Sequence, residues 1–286
     1  MLAPEAAYWL RQQGLEDLVS RTPLGAATSS HVTRYTFACG RQVVWKEQPG
    51  MSFDYFQAEA DGIAAIRATQ SIAVPQLYFV GESGLLMEDL QPATPTKDYW
   101  EQLGRRLAQM HQHLGPGFGF HKDNYIGLSH QSNPLTFDGY EFFADARLLA
   151  QASNALERGL LSHHQMRQVE TLAAQLRDWI PDQPAVLIHG DLWSGNLMSN
   201  VEGEPALIDP AAHWGWAIAD LAMTELFGGF AEGFYEAYLE IAPQAHVFRE
   251  SAWVLNLYHQ LNHLNLFGLS YAESVRRALD RVGKQV

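Results

Sequence analysis

An α+β protein in two parts, a small β-rich lobe followed by a larger, mostly helical one, is the fold class this sequence predicts. Three observations carry that prediction. Apolar residues alternate in short runs separated by turn residues between 32 and 88, the period of strands. A stretch with two prolines and no apolar pattern, Gln91 to Thr96, comes next. Beyond it the apolar spacing becomes three and four residues, with only short strand-like runs between 185 and 208. The division therefore falls at the proline stretch: 1–90 as the β-rich lobe and 91–286 as the helical lobe.

Taken in order, residues 5–20 read as a short helix carrying Trp9, Leu10, Leu15 and Leu18. Residues 32–47 read as two strands around Cys39-Gly40-Arg41, a hairpin signal. Phe56, Ala60, Ile63 and Ile66 place a helix over 54–69, and 76–80 with 85–88 form a second hairpin turning at Gly81–Gly84. After the prolines, Leu103, Leu107, Met110 and Leu114 lie on one helical face, with Thr96 a suitable N-cap. Two further helical patterns occupy 141–180, and short strands follow at 185–188, 196–198 and 206–208. From 219 to 283 the pattern is helical again, and 253–268 is apolar on nearly every side, as in a buried helix.

Composition narrows the function. The chain has 286 residues with 47% hydrophobic and 18% charged side chains, enough to fill a large core, so disorder and fibrous classes drop out. Its net charge of −13 and the absence of any Lys/Arg run longer than a pair argue against nucleic acid and anionic lipid as partners. One cysteine, Cys39, makes neither an internal disulfide nor a Cys-rich zinc site. No stretch of about 18 apolar residues is present to span a bilayer. The first twenty residues lack a basic segment followed by an apolar one, so the expected location is the cytoplasm.

The chemistry concentrates in LIHGDLWSGNLM, 187–198, and ALIDP, 206–210. His189, Asp191 and Asn196 have the H-x-D-x-x-x-x-N spacing of the catalytic loop in protein-kinase-like folds, and Asp209 falls where the metal-binding aspartate of that fold belongs. Phosphoryl transfer needs an acceptor for the hydroxyl proton, which Asp191 supplies, and oxygen ligands for Mg²⁺, which Asn196 and Asp209 supply. A hairpin between them would fold the second ligand back beside the first. His189, Asp191 and Asp209 also suit a hydrolytic metal site; the asparagine at its offset and the short hairpin favour phosphotransfer.

The β-rich lobe supplies a second test. Lys46 ends the VVWK strand, and Glu59 falls inside the apolar stripe of the next helix, where a carboxylate needs a charged partner. A Lys46–Glu59 pair would aim the ammonium at nucleotide phosphates; a glutamate at the wet margin of the stripe and a lysine at a solvated strand end are the competing reading. Met87, Glu88, Asp89 and Leu90, beside the hinge, are expected at the adenine, with backbone groups of 88–90 making hydrogen bonds; ordinary strand core is the competing reading. The phosphate-covering segment 24–34 has a single glycine, so Ser29 and Ser30 are its candidate phosphate donors, or simply turn residues. No Walker-type P-loop occurs anywhere.

On these motifs the chain resembles the fructosamine/ketosamine kinase family, relatives of the aminoglycoside and choline phosphotransferases. HGDLWSGN (189–196), DPA (209–211), DLAMTELFGGF (220–230) and LNHLNLFG (261–268) carry the resemblance, with weaker matches in FGFHKDNYIG (118–127), FFADARL (142–148) and VVWK. It implies a bilobal protein-kinase-like fold and phosphorylation, by ATP with Mg²⁺, of a sugar hydroxyl, typically O3 of a ketosamine such as a ribulosamine or fructosamine. Carried over, Asp191 is the base, Asn196 and Asp209 are the Mg²⁺ ligands, and Lys46 and Glu59 are the phosphate-orienting pair. By the same resemblance Asp220 braces the catalytic loop, or is simply a helix N-terminal acid favoured by the dipole, and Asn124 lies near the sugar pocket, or is a turn asparagine. His263 is either at the cleft or a satisfied core polar group; Trp193 and Trp214 either stack on the substrate or belong to the core. Residues 213–218 and the glycine-poor phosphate segment depart from the family pattern, which leaves the acceptor open. Phosphorylation of another hydroxylated amine, or nucleotide binding without turnover, are the alternatives.

Overall fold

The computed structural model describes residues 2–27 and 30–282. The chain packs into two compact units. One comprises residues up to Tyr99 together with Gly195–Pro210; the other comprises Trp100–Ser194 and the chain from Ala211 onward.

The first unit opens with helix α1 (Pro4–Gln12), which starts on Pro4 at a position where its missing N–H costs nothing. The helix is shorter than its apolar pattern suggests. Gly14 takes φ +74, and Leu15 and Gly14 donate back to the Leu10 and Arg11 carbonyls at 3.0 Å each, a Schellman stop. Leu18 and the residues after it form strand β1 (Leu18–Ala27). β1 lies at the edge of an antiparallel sheet with β2 (Ser30–Phe37), β3 (Gln42–Glu47), β4 (Leu77–Val80) and β5 (Gly84–Glu88), in the order β1-β2-β3-β5-β4. An edge tolerates Pro23, which the interior of a sheet would not.

Strand alternation sorts the two faces of β3. Val43 and Trp45 pack with Ala6 and Leu10 of α1, Tyr35, Phe37 and Leu86 in one buried cluster. Val44 and Lys46 face the other way, onto helix α2 (Phe53–Ala68), whose Phe56, Ile63 and Ile66 are fully buried. Gly84 sits opposite Glu47, where an added Cβ would stand 2.4 Å from the Lys46 carbonyl oxygen, so only glycine fits. The segment after β5 is fastened to the sheet by Arg34 of β2, which grips the buried Asp89 carboxylate with Nε and with Nη2, the latter at 2.9 Å.

The second unit begins within helix α3 (Tyr99–Met110), at Trp100, buries Leu103 and Leu107, and continues through a small hairpin of β6 (Asn124–Ile126) and β7 (Ser129–Gln131). Helix α4 (Gly139–Phe143) is capped by Asp138, which accepts from the Tyr140 and Glu141 N–H groups. It runs through a π-helical segment, Ala144–Leu149, into α5 (Ala150–Glu157). Helix α6 (His163–Ala174) starts in a capping box of Ser162 and Gln165, followed by α7 (Leu176–Trp179) and strand β8 (Val186–Ile188).

The chain then enters the first unit as the hairpin β9 (Leu197–Ser199) and β10 (Pro205–Leu207), and returns as β11 (His213–Gly215), which pairs with β8. Helices α8 (Ala217–Leu226), α9 (Glu232–Ile241), α10 (Phe248–Phe267) and α11 (Ala272–Leu279) complete the second unit. α10 is buried around most of its circumference, as its apolar pattern predicts. Among the described residues no helix is long and apolar enough to cross a membrane. An antiparallel sheet followed by a helical remainder is the α+β arrangement read from the sequence.

Candidate active site

In the first unit three charged side chains meet. Lys46 Nζ donates to both carboxylate oxygens of Glu59 and to Asp209 Oδ1, each at 2.8 Å. Lys46 and Glu59 are buried, while the Asp209 side chain is 31% exposed and so keeps an open side. Burial pulls the ammonium pKa down, but attraction to Asp209 and Glu59 and the bonds to both outweigh it and hold the pKa above the lysine value. Burial and the neighbouring Asp209 push the Glu59 carboxyl up, against the pull of Lys46. Tyr55, one helical turn before Glu59, is pushed up to about 12, first by burial and then by the two carboxylates, against Lys46.

The β9–β10 hairpin explains how residues 196 and 209 come together. Leu197 pairs with Leu207, and the Ile208 N–H donates to the Asn196 carbonyl at 3.1 Å, one residue before Asp209. Asn196 is buried, and Asp209 takes φ +54, a left-handed conformation uncommon for a side chain other than glycine. A partly exposed carboxylate fixed by an ammonium, with an asparagine at the other end of the same hairpin, suits Mg²⁺-nucleotide, since Mg²⁺ uses few protein ligands and completes its shell with phosphate and water.

In the second unit a single buried carboxylate holds the loop that carries Asp191. Asp220, 1% exposed, accepts the His189 N–H at 2.7 Å on Oδ2 and the Gly190 N–H at 2.9 Å on Oδ1. Its Oδ2 also takes His111 Nε2 at 3.2 Å, and His111 Nδ1 meets the Tyr238 hydroxyl at 2.7 Å. Burial alone would raise the Asp220 pKa, but the His111 bond and charge, with help from His189, hold it below the usual carboxylate value. His189 Nδ1 accepts the Asp191 N–H at 3.3 Å, which ties the imidazole to the loop it precedes. Gly190 has φ +81, and a Cβ there would stand 2.3 Å from the Ala211 carbonyl oxygen, so the glycine of HGD is a steric necessity.

The other predicted residues fall in different places. Ser29 lies outside the described residues. Ser30 is buried and donates its hydroxyl to Gln48 at 2.9 Å. Met87 pairs with Val44 and so shares the sheet face of Lys46, while the Glu88 N–H donates to the Gln76 carbonyl at 2.8 Å. The Asp89 carboxylate is taken by Arg34 and the Gln91 N–H, and Leu90 is buried.

Trp193 stands T-shaped against Phe227 at 5.6 Å, and Phe227 against His263 at 5.4 Å, so these aromatics form one row beginning two residues after Asp191. Burial lowers the His263 pKa. Asn124 lies apart from that row: it is 3% exposed, accepts from Gln131 at 2.7 Å and Asn133 at 2.8 Å, and donates to Ala212 at 2.9 Å. Trp214 lies over Gly115, where a Cβ would meet its ring at 2.6 Å. His111, just beyond the end of α3, is buried against Asp220. Its spacing of four from Leu107 puts it on the apolar stripe, a signal the sequence did contain.

Residues 10–285 match the family model for fructosamine kinase. A Synechocystis sp. protein named "Probable ketoamine kinase" is 40% identical over 239 residues, 82% of this chain and 80% of that one. A rice protein named protein-ribulosamine 3-kinase, chloroplastic, is 35% identical over 235 residues, 79% of this chain and 68% of its own length. A candidate fructosamine-3-kinase from Thermobifida fusca, known from a crystal structure, superposes with a TM-score of 0.89 at 31% identity over 99% of both chains. At the level of fold alone, the ADP-bound aminoglycoside phosphotransferase APH(2″)-Ib superposes with a TM-score of 0.62 at 13% identity, over 98% of this chain and 97% of that one.

Proposed function

Because the chain belongs to the fructosamine kinase family, we propose that it transfers the γ-phosphoryl group of ATP, with Mg²⁺, to a sugar hydroxyl of a ketosamine, O3 of a ribulosamine or fructosamine. The observation that carries this reading is the three-way contact of Lys46 with Glu59 and Asp209 at 2.8 Å. Glu59 spends both oxygens on Lys46, so its task is to aim the ammonium. Asp209 spends one oxygen there and keeps a partly exposed side for a cation.

Lys46 would hold the nucleotide phosphates, Asn196 and Asp209 would hold the metal, and Met87, on the Lys46 face of the sheet, would contact the purine. Bound Mg²⁺-ATP supplies the phosphoryl group and neutralises the charge that develops as it transfers. Asp191 orients the acceptor hydroxyl and takes its proton. It does so from a backbone already fixed at both preceding residues by Asp220, so no loop ordering is required at the moment of reaction. Trp193 and His263 offer an aromatic edge and face to the sugar and its amine. Positioning and charge neutralisation account for catalysis; no covalent intermediate on the protein is involved.

The test is ADP release from Mg²⁺-ATP in the presence of ribulose-lysine and fructose-lysine, against aminoglycosides, choline and no acceptor. Stimulation by a ketosamine alone is the expected result. Stimulation by an aminoglycoside or choline alone refutes the acceptor assignment. Silence on every acceptor, with ATP still bound, refutes the reaction itself.

A further inference from the structure

The second unit contains a charged side chain that phosphotransfer does not use. Arg147 lies in the π-helical segment between α4 and α5, is 1% exposed, and makes no ion pair among the described residues. Its Nη1 donates to the Ser132 carbonyl at 2.7 Å and the Ala146 carbonyl at 3.0 Å, and its Nη2 to Asn133 Oδ1 at 2.7 Å. The Phe142 ring lies 4.4 Å and the Tyr258 ring 5.6 Å from the guanidinium carbon. Every one of these hydrogen-bond and ring partners is neutral, Asp123 acts on the guanidinium only through space, and among the described residues Nε–H has no partner. A buried cation without a contacting counter-ion is costly. π-Helical turns, moreover, recur at functional sites.

Arg147 lines a cavity of about 30 Å³ together with Gly190, His213, Trp216, Tyr258 and His259. Two more buried nitrogens on this wall lack a partner, Trp216 Nε1 and His259 Nδ1. The guanidinium Nε–H and the indole N–H can only donate, so neither satisfies the other and both need an acceptor that the chain does not provide. Asp220 also borders the cavity, but its oxygens are taken by His189, Gly190 and His111. The volume is large enough for a water molecule or a monatomic ion.

We propose that this cavity binds a single halide ion, chloride under physiological conditions, held by Arg147 Nε–H and Trp216 Nε1–H with His259 Nδ1–H as the third donor. The anion supplies a contacting negative charge to Arg147 and the acceptor that the Arg147 and Trp216 N–H groups lack. A water molecule would supply the second but not the first. Burial pulls the Arg147 guanidinium down to about 10 when only protein groups surround it, and a halide opposes that pull. Gly190 is on the same wall, so the ion adjoins the loop that bears Asp191.

Two measurements on the full chain test the site. Crystals soaked in bromide are recorded at the bromine absorption edge, and thermal unfolding is followed in chloride, bromide, gluconate and sulfate at equal ionic strength. The expected result is an anomalous peak within hydrogen-bonding reach of Arg147 Nε and Trp216 Nε1. With it comes a saturable rise in Tm with chloride and bromide but not with gluconate or sulfate. Trp216→Phe should raise the half-saturating chloride concentration roughly tenfold by removing one donor, and Arg147→Gln should abolish the saturable rise. If Arg147→Gln does not fold, Trp216→Phe and the anomalous map decide the matter. A cavity peak without anomalous signal, or the same Tm in all four salts, overturns the proposal.

Discussion

Replacing Asp220 by Asn tests whether one buried carboxylate holds the catalytic loop. The carboxylate receives the Gly190 N–H on Oδ1, and the His189 N–H and His111 on Oδ2. An asparagine keeps only one oxygen. If it is turned to retain His189 and His111, its NH₂ faces the Gly190 N–H; turned the other way, two bonds fail. The less costly orientation still loses a charge-assisted bond and leaves a buried donor facing a donor, together roughly 3–5 kcal/mol. In a chain of 286 residues that corresponds to a fall in Tm of roughly 10 °C. With Asp191 one residue beyond the freed amide, kcat should fall about 100-fold while ATP affinity changes little. Differential scanning fluorimetry and steady-state kinetics read both. The acid arm of the wild-type stability curve adds a check. The Asp220 pKa is lowered in the fold, so its contribution is complete above the unfolded carboxylate value and is lost as pH falls below it; the variant should lack that loss. A variant within about 1 °C and twofold in kcat of wild type would refute the bracing argument.

Three further outcomes are expected. Burial lowers His213 and His259 to about 3, each also opposed by a nearby positive or imidazole group, so both stay neutral in the fold while their unfolded forms protonate near 6.5. Stability is therefore complete above that value and lost below it, about 2 kcal/mol per histidine by pH 5 in halide-free buffer. A Tm that is flat from pH 7.5 to pH 5 would contradict this. Glu59→Gln leaves the buried Lys46 ammonium with Asp209 alone, and should cost about 2–3 kcal/mol in urea unfolding and weaken ATP binding about tenfold by calorimetry. Unchanged values for both would remove Glu59 from the site. Asp191→Asn should lower kcat between about 10²- and 10⁴-fold with ATP affinity within about twofold; an unchanged kcat would end its assignment as base.

The parts of the fold that were legible are those where one local period dominates. The alternation in 32–47 and 76–88 became β2 to β5, and the stripe Phe56, Ile63, Ile66 became the buried face of α2. β1 was hidden because LVSRTPLGAA has a proline, a glycine and two irregular steps, and only the edge position makes it a strand. The helix at the start ran too long on paper because Leu15 and Leu18 continue its apolar count, while Gly14 ends it in space.

The spacing of His189, Asp191, Asn196 and Asp209 suggests phosphotransfer without any coordinates, and the hairpin that joins Asn196 to Asp209 was legible because a loop of that length has few ways to close. The same holds for Glu59, because a carboxylate inside an apolar stripe demands a cation and Lys46 ends the neighbouring strand. Partners that come from afar are another matter. That Asp220 takes His111, that Arg34 takes Asp89, that Asn124 is consumed by Gln131, Asn133 and Ala212, and that Arg147 is buried with no counter-ion depend on which elements pack together. Local spacing is set by covalent geometry and is written in the chain. Long-range pairing is set by competition for a shared interior, and is decided only when the whole sequence packs.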